Sequence, residues 1–122
     1  MANDYDPKAR NAGVDAIAAL VTRLALHTGD PGAADTAANE VTGGSPAYAR
    51  KAVAWNAAAA GAATQNGDVV FDVPAGTVAW VSGWNTAGTS RYFKKDVTDE
   101  VFAAQGTYTV KGTTSTLDLN DA

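Results

Sequence analysis

Turn chemistry recurs along this chain at intervals of roughly 8 to 12 residues, and that spacing leaves room for little except short strands. Gly29-Asp30-Pro31-Gly32, Gly43-Gly44, Asn66-Gly67 and Pro74-Ala75-Gly76 all mark turns. Between them the apolar residues follow a period of two. Val69, Phe71 and Val73 alternate with Val70 and Asp72, and Leu24 with Leu26, and Tyr108 with Val110, share a parity. The pattern predicts a mainly β chain: an antiparallel β-sandwich, jelly-roll-like, with a short N-terminal helix. Strands are expected over residues 22–28, 48–54, 69–73 and 77–84, with Val78, Trp80 and Trp84 on one face. Further strands are expected in "TSRYFKKDVT" and "GTYTVKG". Residues 33–46 read as a long surface loop, and the small-residue run 57–67 as a loop ending in a tight turn.

The helix is expected to start at Asp6, a good N-cap, with Pro7 in the first helical position. It should run two or three turns and end near Leu20. This divides the chain into an N-terminal arm and helix, 1–21, and a β-sandwich domain, 22–122. The last residues, "DLNDA", read as a frayed or intersubunit tail.

The apolar fraction is 46%, but alanine dominates it; the chain has three Trp, three Phe and four Tyr. The core should therefore be thin, or completed by other subunits. Leu26, Trp55, Phe71, Val73, Trp80, Trp84 and Tyr108 are its candidate members, and Gly76 is the candidate turn residue behind the Val73 strand.

Composition excludes several classes of function. There is no cysteine, so neither a disulfide nor a thiolate metal site can form. The net charge is −4 and the sequence pI about 4.7. That balance argues against binding nucleic acid, which needs a clustered basic footprint. The basic-aromatic run Arg91 to Lys95 is cancelled at once by Asp96, Asp99 and Glu100. No stretch approaches the ~20 apolar residues of a membrane span, and the N-terminus lacks an export-signal pattern. Synthesis in the host cytoplasm without a signal peptide is expected.

Catalytic options are poor. His27 is the only histidine, and a nucleophile–base pair would need one of Ser45, Ser82, Ser90 or Ser115 beside it, though none lies in a G-x-S-x-G elbow. The simpler reading is a strand-end histidine that hydrogen-bonds the following turn. Asp30, Asp35, Asn39 and Glu40 share a loop and could offer oxygen ligands to calcium, but without an EF-hand pattern. The carboxylates Asp96, Asp99 and Glu100 could in principle serve a glycosidase, and exposed Trp or Tyr a carbohydrate-binding module. No cofactor is expected.

The order of the motifs is more informative than any one of them. "LALHTGDPG" is followed by "NEVTGGSPAYAR", then "VPAGT", "GW" and "FAAQGTYT". This resembles a family of small phage structural proteins of actinobacterial phages and prophages, described as minor tail or tail-fibre-like virion proteins. The family's elements fall here at Leu26 to Gly32, Asn39 to Arg50, Val73 to Thr77, Gly83-Trp84 and Phe102 to Thr109. The likeness spans about residues 22–112. In two places the chain departs from the pattern: Gly83-Trp84 lacks the spacer of "G-x-W", and the polar "SRYFKKDVTDE" stands where an apolar, glycine-rich strand is expected. The resemblance implies a non-enzymatic virion protein on the tail, or decorating the capsid, that self-associates and binds other virion proteins. It implies no catalytic residues. Partner contacts are then expected from the loops, at Asp30, Asp35, Asn39, Glu40, Asn85 and Thr89, with a host surface glycan as the alternative partner.

Overall fold

The computed structural model describes residues 5–113 and 115–118. The expected polar arm at 1–4 and the tail at 119–122 lie outside them. Among the described residues one helix, α1 (Pro7–Leu20), precedes eight strands: β1 (Arg23–His27), β2 (Lys51–Ala52), β3 (Ala62–Thr64), β4 (Val69–Val73), β5 (Gly76–Trp84), β6 (Arg91–Phe102), β7 (Gly106–Val110) and β8 (Thr116–Asp118). All pairings are antiparallel. The main sheet runs β2-β1-β5-β6, β4 pairs with β7, and β3 pairs with β8.

The sandwich follows from where the alternating residues point. Leu24 and Leu26 of β1 and Val78 and Val81 of β5 pack against Val69, Phe71 and Val73 of β4, with Val41 joining from the loop. Val97 and Phe102 of β6 and Tyr108 and Val110 of β7 close the sides. The core thus lies between the main sheet and the β4–β7 pair.

α1 belongs to a second, smaller cluster. Val14 meets Ala63 of β3 and Leu117 of β8, with Ile17 and Trp55 at its margin. The helix runs 14 residues, longer than expected. Asp6 occupies the N-cap position, but its side chain makes no capping hydrogen bond. The polar side chains of the helix reach outward instead: Asn11 Oδ1 accepts from the Gly61 amide and Asp15 Oδ1 from Ala58, each at 2.8 Å. These bonds tie the helix to the 57–61 segment.

Three expectations need correction. Of the strand expected at 48–54, only Lys51 and Ala52 pair with β1; Tyr48 and Arg50 turn their side chains into the polar cluster described below. The "loop" at 57–67 contains β3, which alternation could not reveal because its residues are alanine and threonine. It is stabilised by β8 and by burial of Ala63. Val78, Trp80 and Trp84 do not share one face. Between Val78 and Trp80 the β5–β6 register shifts, with Val97, Thr98 and Asp99 opposing the single residue Ala79. Such a bulge re-aims the side chains beyond it. Val78 and Val81, three residues apart, therefore both join the core, while Trp80 and Trp84 line the opposite face with Ser82.

Gly76 opens β5 with φ +145°, in space where a Cβ would meet nothing. The constraint is conformational, not steric. Gly76→Val should cost about 1–3 kcal/mol through backbone strain, and urea midpoints should show it. A midpoint equal to that of the unaltered chain would mean the turn accepts a side chain.

Candidate functional site

β1 is buried on both faces, with Leu24 to His27 all inaccessible. Leu24 and Leu26 serve the core. The other face, where His27 pairs with Trp80, Ala25 with Ser82 and Arg23 with Trp84, is roofed by the segment that follows. The "GDPG" chemistry starts that roof. Asp30 Oδ1 accepts the Gly32 amide at 2.9 Å, an Asx turn, and Gly32 takes φ +92°. The chain then returns antiparallel to β1: the Thr28 amide donates to Asn39 O and the Val41 amide to Leu26 O. Asp35 and Asn39 both adopt left-handed backbone, φ 61° and 59°, which their short polar side chains tolerate.

Beneath this roof a hydrogen-bond chain runs in one direction. The Ala38 carbonyl can only accept, so His27 Nδ1 carries the proton and donates to it at 2.9 Å. Nε2 is then an acceptor, and the Ser82 hydroxyl donates to it at 2.7 Å. Ser82 Oγ in turn accepts from Trp84 Nε1, also at 2.7 Å. His27 and Ser82 are 0% exposed and Trp84 2%. The histidine thus reaches past the turn to Ala38, eleven residues on, not to the turn itself.

The serine–histidine distance is that of a nucleophile and its base. The arrangement still offers a substrate nothing. Both side chains are sealed, Nδ1 rests on a backbone carbonyl where a triad places a carboxylate, and the serine lone pair is taken by the indole.

Glu40 organises the second half of the cluster. Its carboxylate accepts from Arg50 Nε and Nη2, both at 2.9 Å, and from the Tyr48 hydroxyl at 2.8 Å. The Tyr48 oxygen also accepts the Leu26 amide at 2.9 Å. The Arg50 guanidinium lies over the Trp84 ring, 4.1 Å from its centroid. Burial works against the Glu40 charge, but the bonds from Arg50 and Tyr48 outweigh it and hold the carboxyl below its ordinary range. Burial likewise pushes the Tyr48 phenol well up. The short sequence motifs thus meet in space: His27 of "LHTGDPG", Glu40, Tyr48 and Arg50 of "NEVTGGSPAYAR", and Trp84 of "GW" form one cluster.

Of the remaining loop candidates, Asp30, Asp35, Asn39 and Thr89 are exposed and Asn85 is half-buried, and all are internally bonded. Asp30 receives Lys94 Nζ at 2.8 Å, and Asp35 Oδ1 accepts the Arg91 amide at 2.8 Å. Arg91 also donates to the carbonyls of Thr36 and Gly32. Asn39 Nδ2 donates to Asp30 O. Asn85 Oδ1 accepts the amides of Thr89 and Ser90, while its Nδ2 donates to Thr89 Oγ1. The basic run of β6 therefore clamps the 30–36 turn. Of the core candidates, Leu26, Phe71, Val73 and Trp84 are buried, and Trp55, Trp80 and Tyr108 are half-buried. Lys94 Nζ lies 5.5 Å from the Trp80 ring centroid, and Trp55 Nε1 donates to Val21 O.

From the sequence Ser82 was one of four serines that could stand beside His27, and Tyr48, Arg50, Arg91 and Lys94 had no assigned role. Tyr48 and Arg50 stood in a quoted motif, and that was the available signal. Nothing singled out Ser82 among the four, since it lies 55 residues from His27.

Burial lowers the His27 pKa below its ordinary 6.5; the Ala38 hydrogen bond and the Glu40 charge oppose it, and the Arg50 and Arg91 charges act with it. A lowered histidine pKa means the unfolded chain takes up the proton first. Stability is therefore complete above about pH 6.5 and falls as pH drops through the folded value. In urea melts at pH 7.5 and 5.0 the unaltered chain should lose stability at the lower pH. His27→Gln should be weaker at pH 7.5 but show a flatter loss. Parallel losses in the two proteins would remove His27 as the cause.

Among the described residues no group of His, Asp and Glu is arranged to hold a metal ion, and no helix is long and apolar enough to cross a membrane. The polar cluster is thus sealed inside an antiparallel sandwich, and the loops above it are braced. A protein-family model described as podophage GP4 fiber I protein gp80 matches residues 11–94, more than half the chain. The chain belongs to this family of phage fibre proteins and is accordingly a structural component of a virion. No curated protein and no solved structure matches it.

Proposed function

We propose that this chain is a non-enzymatic tail-fibre module that self-associates and binds other virion proteins. The family match across residues 11–94 carries the reading. The actinobacterial host suggested by the motif order is part of it, as is tail placement in preference to capsid decoration. The braced roof over β1 fits the role: it presents Asp30, Asp35 and Asn39 on a scaffold that does not need to reorganise on contact. The aromatic residues lend less to a sugar-binding reading, since Trp84 is sealed beneath Arg50 and Trp80 is half-buried beside Lys94.

Immunogold labelling of purified particles with antibody against this chain tests the placement. Label on the tail or its fibres is expected. Label spread over the capsid shell would replace the fibre placement with a decoration role.

A further inference from the structure

The roof over β1 is held almost wholly by polar contacts. Of residues 28–41, only Pro31 and Val41 are buried. The Thr28 and Val41 amides fasten it to β1, and His27 Nδ1 fastens it at Ala38. Glu40 ties it to Tyr48 and Arg50, and Arg91 and Lys94 clamp its turn. A segment that buries so little apolar surface opens locally at a lower free energy than the sandwich behind it. Each of its hydrogen bonds is then a large share of what keeps it closed.

A proton can undo the closed arrangement at His27. Both imidazole nitrogens are used there: Nδ1 donates to Ala38 O, and Nε2 accepts from the Ser82 hydroxyl. A proton added from solvent at Nε2 turns that atom into a donor facing a donor. Ser82 Oγ must then accept from Nε2 as well as from Trp84 Nε1, and its own hydrogen is left with no other partner among the described residues. A buried donor without an acceptor is costly, and so is an imidazolium cut off from water. Of the charged neighbours, Glu40 favours the imidazolium from the roof itself, while Arg50, just before β2, and Arg91 of β6 oppose it. Lifting the roof parts Ala38 from Nδ1 and lets water solvate the ring.

We propose that residues 28–41 form a proton-operated lid, which lifts from β1 when His27 Nε2 takes a proton while the sandwich core stays folded. The neighbours leave the trigger to His27. Lys94 holds the Asp30 carboxyl below its ordinary range. Burial works against the Glu40 charge, and the bonds from Arg50 and Tyr48 outweigh it; burial pushes the Tyr48 phenol up. None of these three groups changes charge between about pH 7 and 5. The open lid exposes an imidazole that takes its proton near the ordinary 6.5, and the closed lid keeps it neutral to lower pH. Opening is therefore favoured about tenfold per pH unit below about 6.5, down to the closed-state value. The lid carries Asp30, Asp35 and Asn39, so its opening withdraws the partner contacts proposed above. That consequence rests on the binding reading; the opening itself does not.

Amide hydrogen exchange of the full chain, read residue by residue by NMR, tests the lid without any partner present. Corrected for the intrinsic exchange rate, the Thr28, Ala38 and Val41 amides should be less protected than those of the β4–β7 pair, and low urea should not change them. Between pH 6.5 and 5.5 their protection should fall about tenfold in the unaltered chain and stay level in His27→Gln. Lid amides as protected as β4–β7 at both pH values would overturn the proposal, since the roof would then open only with the whole sandwich. A fall that persists in His27→Gln would overturn it too, by removing the trigger. Should His27→Gln not fold, the unaltered chain decides: the His27 ring nitrogens and the lid amides should titrate with one midpoint. Lid amides that follow a carboxylate midpoint instead would overturn it.

Discussion

Trp84→Ala is expected to destabilise the chain by about 3–5 kcal/mol, the range for removing a fully buried large aromatic. Trp84 is 2% exposed and serves two partners. Its Nε1 donates to Ser82 Oγ, and its ring lies under the Arg50 guanidinium. Alanine leaves a cavity, frees a lone pair on a buried serine and takes away the surface on which Arg50 rests. The effect should exceed that of Trp80→Ala, because Trp80 is only half-buried at the Lys94 side of the sheet. Urea unfolding of both variants makes the comparison. Equal losses would mean that the sealed cluster adds nothing beyond a generic core.

The second large effect is expected at Glu40. Glu40→Ala removes the acceptor of both Arg50 bonds and of the Tyr48 hydroxyl. The ion pair is only about a fifth exposed, so solvent compensates poorly. Removing one partner of a fully buried pair costs ~3–5 kcal/mol; the partial exposure here reduces that to about 2–3 kcal/mol. Glu40→Gln keeps an acceptor oxygen and should lose less. Asp35→Ala, whose side chain accepts a single amide hydrogen bond at an exposed loop, should lose under about 1 kcal/mol. Thermal melts of the three would rank them, and an Asp35 effect as large as that at Glu40 would show that the whole roof, not the carboxylate cluster, holds β1 in place.

Much of the framework could be read from the sequence because local chemistry determined it. Alternation located β4, and Pro74-Ala75-Gly76 located the turn into β5. The Asp30-Pro31-Gly32 turn chemistry located the start of the roof. What escaped was non-local. β3 is alanine-rich and becomes a strand only because β8 lies beside it. The bulge opposite Ala79 reverses the face of Trp80, and nothing in period-two reasoning marks where a strand will take extra residues. Of the candidate loop residues, Asp30, Asp35, Asn39 and Thr89 lie on the surface, whereas Glu40 turns into the cluster and Asn85 is half-buried. Their ties to Arg91, Lys94 and Arg50 depend on pairings across the fold that no spacing rule encodes. The expected departure at "SRYFKKDVTDE" has the same explanation. Its leading basic residues are the clamp on the 30–36 turn, so an apolar strand there would take Lys94 from Asp30 and the Arg91 guanidinium from the carbonyls of Gly32 and Thr36.

A histidine and a serine 2.7 Å apart would invite an enzymatic reading in another setting. Burial and the direction of the hydrogen bonds decide against it here, and the same burial predicts the acid sensitivity described above. The short motifs work as one cluster that fixes the roof segment to the main sheet.

A fibre protein of the virion must travel with the particle. Quantitative mass spectrometry of purified particles, scaled to the major capsid protein, tests this. The chain should be present, at far below the capsid protein's copy number. Its absence from particles would contradict a place in the virion.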